Sequence, residues 1–194
     1  MSSKNPETRT RILQATCKLL EADRGKGVRM SDIAKQAGIS RQAVYLHFSK
    51  RSDLLIATTL YIDEIKDVEG RLQASRNATT GVQRLELFVD AWCHYIAEIY
   101  PIAKALLAMK ETDEDAAAAW EHRMAALRDG CEAAVKALKQ DERLSPEHTV
   151  KEAVDILWTI LSIRNWEHLT IDCGWCSKKY LYKTQSLTKQ LFVK

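Results

Sequence analysis

Apolar residues in the first fifty positions recur at steps of three and four. Ile12, Ala15, Thr16, Leu19 and Leu20 form one such stripe, which predicts an amphipathic helix. Asn5-Pro6-Glu7 predicts its start, with Asn as cap, Pro at the first helical position and an acid in the first turn. Gly25 and Gly27 predict its end. Residues 31–37 make a second helix of barely two turns. Gly38 suits the left-handed residue that stops it, and Ser40 suits the cap of the next. That third helix, residues 41–48, turns Val44 and Phe48 inward at i and i+4, toward Ile33, Ala34 and Ile39. Two short helices joined by a three-residue, Gly-initiated turn are the outline of a helix-turn-helix.

Beyond Ser52 the pattern lengthens. Leu54, Leu55, Thr58, Ile62 and Ile65 predict one long helix to about Ser75, with a loop over 77–81. Leu85, Phe88, Val89, Trp92, Tyr95, Ile96 and Ile99 predict a helix that Pro101 breaks or kinks, and residues 102–109 a short apolar one. Asp113, Glu114 and Asp115 favour a helix start, and Trp120, Met124, Leu127, Cys131, Ala134 and Leu138 continue it in heptad-like steps. Ser145-Pro146-Glu147 predicts the start of a helix that Gly174 ends. A final amphipathic helix covers 180–192. The expectation is an all-α chain of about nine helices. Residues 1–52 form an N-terminal three-helix helix-turn-helix domain, with the motif at about 29–48, and residues 53–194 a helical domain for effector binding and dimerisation.

Composition supports this. Glycine and proline total 10 of 194 residues, too few for the frequent turns of β-rich folds. No apolar run reaches the roughly 18–20 residues of a membrane span. The N-terminal residues lack a secretory signal's apolar stretch, which leads to the expectation of a cytoplasmic protein without membrane contact. Five scattered cysteines fit free thiols better than a disulfide framework. Charge is the more informative feature. Residues 1–52 hold 11 Lys/Arg against 4 Asp/Glu, residues 53–177 hold 13 against 22, and residues 178–194 hold 5 lysines and no acid. A basic head on an acidic body suits a head that meets a polyanion.

The motif sharpens that reading. Ile33-Ala34, Ala37-Gly38-Ile39-Ser40, Tyr45, His47-Phe48, the basic Lys50-Arg51 and Leu54-Leu55 stand at fixed spacing. Together, residues 28–55 resemble the TetR family of bacterial transcriptional regulators. That family's pattern runs Ile-Ala, two residues, Ala-Gly-Val/Ile-Ser, four residues, Tyr, one residue, His/Tyr-Phe, a basic residue and a Leu pair. Two positions depart from it. Arg29 stands where the family usually has a capping Thr, leaving Ser31 to cap or the helix start looser. Arg51 stands where the family often has Lys, so the charge is kept.

The residue types suit DNA on physical grounds as well. A helix fits the major groove and reads bases with its first turns. Arg41 can chelate guanine, Gln42 can pair with adenine, and Ala43 can touch a thymine methyl. Tyr45 and His47 project toward flanking phosphates, and Ser31 can add a contact there. The resemblance implies phosphate contacts for Tyr45 and His47, and for Arg51 at the opening of the fourth helix. Val44 and Phe48 belong to the core.

One helix-turn-helix contacts too few bases to select one site in a genome. The expectation is therefore a homodimer on double-stranded DNA carrying a palindromic operator. The helices at about 113–140 and 146–171 are the best dimer candidates, since their stripes suit an antiparallel helix pair and its symmetry mate; the alternative is that they face the subunit's own core. The resemblance favours the dimer and implies a small-molecule effector. Phe88, Trp92, Tyr95, Ile99, Trp120, Met124 and Trp158 are candidates to line a largely apolar or aromatic effector site, although such stripes also make plain core. Cys173-Gly174-Trp175-Cys176 is the one motif with enzyme chemistry, a dithiol pair. It has neither the βαβ context of a thioredoxin nor two further zinc ligands. The chain reads as a non-enzymatic, cofactor-free, metal-free regulator, most simply a repressor released by its effector. A redox-active thiol protein, or a redox-sensing regulator using Cys173 and Cys176, is the alternative.

Overall fold

The computed structural model describes residues 5–22 and 27–194; Gly25, expected to end the first helix, lies outside them. The described residues form ten α-helices. Their order is α1 (Pro6–Ala22), α2 (Met30–Ala37), α3 (Arg41–His47), α4 (Arg51–Ile65), α5 (Val68–Arg76), α6 (Gly81–Met109), α7 (Glu114–Gln140), α8 (Val150–Ile160), α9 (Ile163–Glu167) and α10 (Ser177–Phe192). A π-helical turn over His168–Asp172 extends α9. The only extended pairing among the described residues is a single bridge between Leu144 and Val193. None of these helices is long and apolar enough to cross a membrane.

The chain divides into two compact units, one of residues up to 66 with 99–123, the other of 67–98 with 124–194. In the first, α1 packs on α2 and α4, and α2 packs on α3. Ile12, Leu20, Ile33, Val44, Leu54 and Leu55 are fully buried there, so these stripe positions face inward as expected, whereas Ile65, the last position of the predicted α4 stripe, is exposed. In the second, Leu85, Val89 and Ile96 of α6 are buried, as are Cys131, Val135 and Leu138 of α7. Leu157, Tyr180 and Phe192 of α8 and α10 join that core. The C-terminus is tied down: the Ser145 N–H donates to the Phe192 carbonyl at 2.8 Å.

Three boundaries differ from the sequence expectation. The helix expected from 52 to 75 is two helices, because Asp67 turns left-handed at φ 50° and its carboxylate accepts the Gly70 N–H. Pro101 sits inside α6 without ending it. Its missing N–H removes one ladder bond, but buried Ile96, Ile99, Ile102 and Leu106 hold the helix on both sides of it. The helix expected from 146 to 171 starts later and stops sooner. A capping box begins α8, with the Thr149 hydroxyl accepting the Glu152 N–H while the Glu152 carboxylate accepts the Thr149 N–H. At its far end the Trp92 indole donates to the Leu161 carbonyl at 2.8 Å, and the Ser162 hydroxyl takes the Asn165 N–H to start α9.

Most of the α7 stripe is buried within the chain: Leu127, Cys131, Ala134 and Leu138 are buried, with Trp120 and Met124 half-buried. Gly81 makes this packing possible. A Cβ there would lie 2.5 Å from the Ala137 backbone. Gly81→Ala is expected to destabilise the protein by about 1–3 kcal/mol through overpacking, read as a lower midpoint in urea or thermal unfolding.

Candidate nucleic-acid interface

The turn that aims α3 is built by its caps. Gly38 adopts φ 65° and closes α2, its N–H reaching the Ala34 and Lys35 carbonyls. Ser40 caps α3 by accepting the Ala43 N–H at 3.1 Å. Val44 and Phe48 are buried beneath it. This leaves Arg41, Gln42 and Tyr45 exposed at the surface of α3, with Ala43 and His47 half-buried. The Arg41 guanidinium lies over the Tyr45 ring at 5.5 Å and donates to its hydroxyl at 3.3 Å. These two side chains form a single polar element on the outer face of α3.

Arg29 occupies the cap position of α2 without a side-chain capping bond. Ser31 is thus not the cap; it lies within the first turn, exposed. An open concavity of about 710 Å³ gathers Arg29, Ser31, Arg41, Tyr45, Lys50 and Arg51, with Asp113 and Asp115 on its wall. Four of the seven expected DNA contacts line it; Gln42, Ala43 and His47 do not. Four cations against two carboxylates give it a basic character suited to phosphate. Leu46 is 51% exposed on α3. It lies off the Val44–Phe48 stripe, which leaves its apolar side chain at the surface.

Arg51 stands apart from the rest. Its Nε donates to the Val28 carbonyl at 2.7 Å, and its Nη1 donates to Asp113 at 2.7 Å and to Asp115 at 3.4 Å. The guanidinium is turned inward, with 16% of the side chain exposed. Burial opposes the Asp113 charge, but Arg51 and the N–H groups of Ala116 and Asp115 outweigh it and hold this carboxyl below its ordinary value.

Ile99 and Trp120 belong to the first unit; Phe88, Trp92, Tyr95, Met124 and Trp158 belong to the second. Within the second unit the Trp92 and Tyr95 rings lie 6.0 Å apart. The Trp158 indole donates to the Met124 carbonyl at 3.1 Å. Phe88 packs where a Cβ on Gly130 would meet it at 2.6 Å. Cys17, Cys93 and Cys131 are buried, whereas Cys173 and Cys176 are exposed. Among the described residues no group of three or more His, Cys, Asp or Glu could hold a metal.

Residues 12–58 match the bacterial regulatory proteins of the tetR family. The nucleoid occlusion factor SlmA of Marinomonas sp. is 36% identical over 64 residues, which are 33% of this chain and 32% of that protein. The HTH-type transcriptional activator FasR of Mycolicibacterium smegmatis is 35% identical over 92 residues, 46% of this chain and 41% of that one. The chain thus matches less than half the length of either relative. The fold is shared further: the transcriptional regulator FadR of Bacillus subtilis, solved in complex with stearoyl-CoA, superposes with a TM-score of 0.71 at 15% identity, covering 94% of this chain and 96% of that one. Over residues 12–58, which hold α2, α3 and the turn between them, the chain thus matches the TetR family of bacterial regulatory proteins.

Proposed function

We propose that the protein is a dimeric repressor that binds a palindromic operator and is released from it by a small-molecule effector. Residues 1–52 are its DNA-binding domain and residues 53–194 its effector-binding and dimerisation domain. The observation that carries this reading is the capped, seven-residue α3 within a family-matched motif, with Arg41 and Gln42 exposed in its first turn. Arg41 and Gln42 read bases, Ala43 approaches a thymine methyl, and Ser31, Tyr45 and His47 bond the backbone. The effector is largely apolar or aromatic, consistent with FadR of Bacillus subtilis holding stearoyl-CoA. It acts by preferring a dimer whose two recognition helices have the wrong spacing for the operator.

Recovery of genomic fragments on the immobilised protein, followed by sequencing, tests the reading directly: an enriched palindrome supports it, and uniform recovery removes it. On the recovered duplex, Arg41→Ala is expected to lose affinity by about 1–3 kcal/mol with far less loss on random DNA. Tyr45→Phe is expected to weaken both alike, because phosphates carry no sequence. An unchanged ratio of specific to non-specific affinity in Arg41→Ala would remove its role as a base reader.

The dimer surface follows from what α7 leaves over. Leu127, Cys131, Ala134 and Leu138 of its stripe are buried while Met124 is half-buried, so within the helices at about 113–171 the contact falls to Met124, half-buried Trp158 and exposed Ile171, joined by half-buried Trp175 and exposed Tyr182 and Leu187. Light scattering is expected to give twice 22.1 kDa, and Leu187→Glu to shift the protein toward the monomer. Cys173 and Cys176 take no part in regulation. Operator affinity of the Cys173→Ser, Cys176→Ser double variant, with and without mild peroxide, is expected to equal that of the unaltered protein.

A further inference from the structure

We infer that Arg51 is a positioning residue for the recognition helix, the cation of a charge clasp whose anions are Asp113 and Asp115, and does not contact a DNA phosphate. This rests on the proposed reading of α3 as the base reader and extends it to a residue outside the motif's two helices.

Each member of the clasp holds at least two partners. The guanidinium holds the Val28 carbonyl, two residues before α2, and both carboxylates. Asp113 caps α7, accepting the N–H groups of Asp115 and Ala116 at 3.1 and 3.2 Å, while it grips Arg51. Asp115 accepts the Ser52 N–H at 3.1 Å and so satisfies the first turn of α4, which lacks a side-chain cap of its own. The approach to α2, the start of α4 and the start of α7 are thereby joined at one charged point. At the other end of α4, Asp63 pairs with Arg123 of α7. The helix is strapped to α7 near both its termini.

A DNA phosphate at Arg51 would meet two carboxylates that already hold its Nη1 and that repel the incoming anion. The side chain is also mostly covered. Its planar fork reaches a carbonyl and a carboxylate at once, which a lysine ammonium on a single stem cannot reproduce. The head's orientation then depends on Arg51 geometrically: Val28 fixes where α2 begins, and α2 with Gly38 fixes where α3 points.

The test uses the full-length protein, the duplex recovered from genomic DNA and a random-sequence duplex of equal length. Variants are Arg51→Ala, Arg51→Lys and the double Asp113→Asn, Asp115→Asn. With misaligned base contacts, all three are expected to lose about ten-fold or more on the recovered duplex and little on the random one, while the salt slope stays that of the unaltered protein. Loss of folding alone would lower both affinities in proportion. A slope reduced by about one in Arg51→Ala, with the Asn double variant binding more tightly, would show a phosphate ligand held back by its carboxylates and overturn the clasp. Unaltered binding in all three variants would overturn it as well. Hydrogen exchange at the Asp32 and Ile33 amides, both bonded to the Arg29 carbonyl at the start of α2, gives a reading without DNA. Faster exchange in Arg51→Ala supports the clasp even if the unaltered protein selects no duplex, which would sink only the operator reading. Unchanged exchange counts against the clasp.

Discussion

A seven-residue helix cannot hold itself together in water. Helices below roughly 12–15 residues are marginal even with favourable sequences, since nucleation fixes several dihedrals for one hydrogen bond. The α3 helix has seven residues and α2 has eight. Both exist because Ile33, Ala34, Val44 and Phe48 are buried against α1 and each other. The surface meant for DNA is therefore a by-product of a core. The polar outer face of α3 is free to vary in sequence, while its inner face supplies the stability. The caps at Gly38 and Ser40 add what burial cannot, a fixed angle between the two helices.

What was legible in the sequence is what local chemistry determines. Gly38 and Ser40 gave the turn, and the Val44–Phe48 spacing gave the inner face, because each acts within a few residues of itself. The capping box at Thr149 and Glu152 was equally visible. Ser145-Pro146-Glu147 has the composition of a helix start as well, yet it forms only a turn before α8. Other features depend on partners no local pattern reveals. The Leu161 carbonyl leaves its helix for an indole 69 residues away, and Arg51 meets Asp113 62 residues away. Asp67 adopts a left-handed conformation that sequence assigns first to glycine. The heptad-like α7 stripe allowed interface or core, because both need the same residues; Leu127, Cys131, Ala134 and Leu138 are buried in the subunit's own core, while Trp120 and Met124 are half-buried.

Charge is distributed accordingly. Four of the head's cations line one concavity, and one of them is paired internally with acids from the start of α7. An isolated surface ion pair contributes little. This one is partly buried, shares its carboxylates with two helix termini, and so joins segments far apart in sequence. Counting basic residues in a head overstates what a polyanion meets.

The five thiols divide by burial in a way that gives the protein an internal clock. Burial raises the Cys17 thiol to about 11 and those of Cys93 and Cys131 to about 12. The thiolate is the reactive form, so these three are shielded from alkylating reagents both sterically and electronically while their surroundings stay closed. Cys17 lies in the first unit and the other two in the second. Once Cys173 and Cys176 are removed, each unit retains its own silent reporter. The order in which those reporters become alkylated would trace which unit opens first.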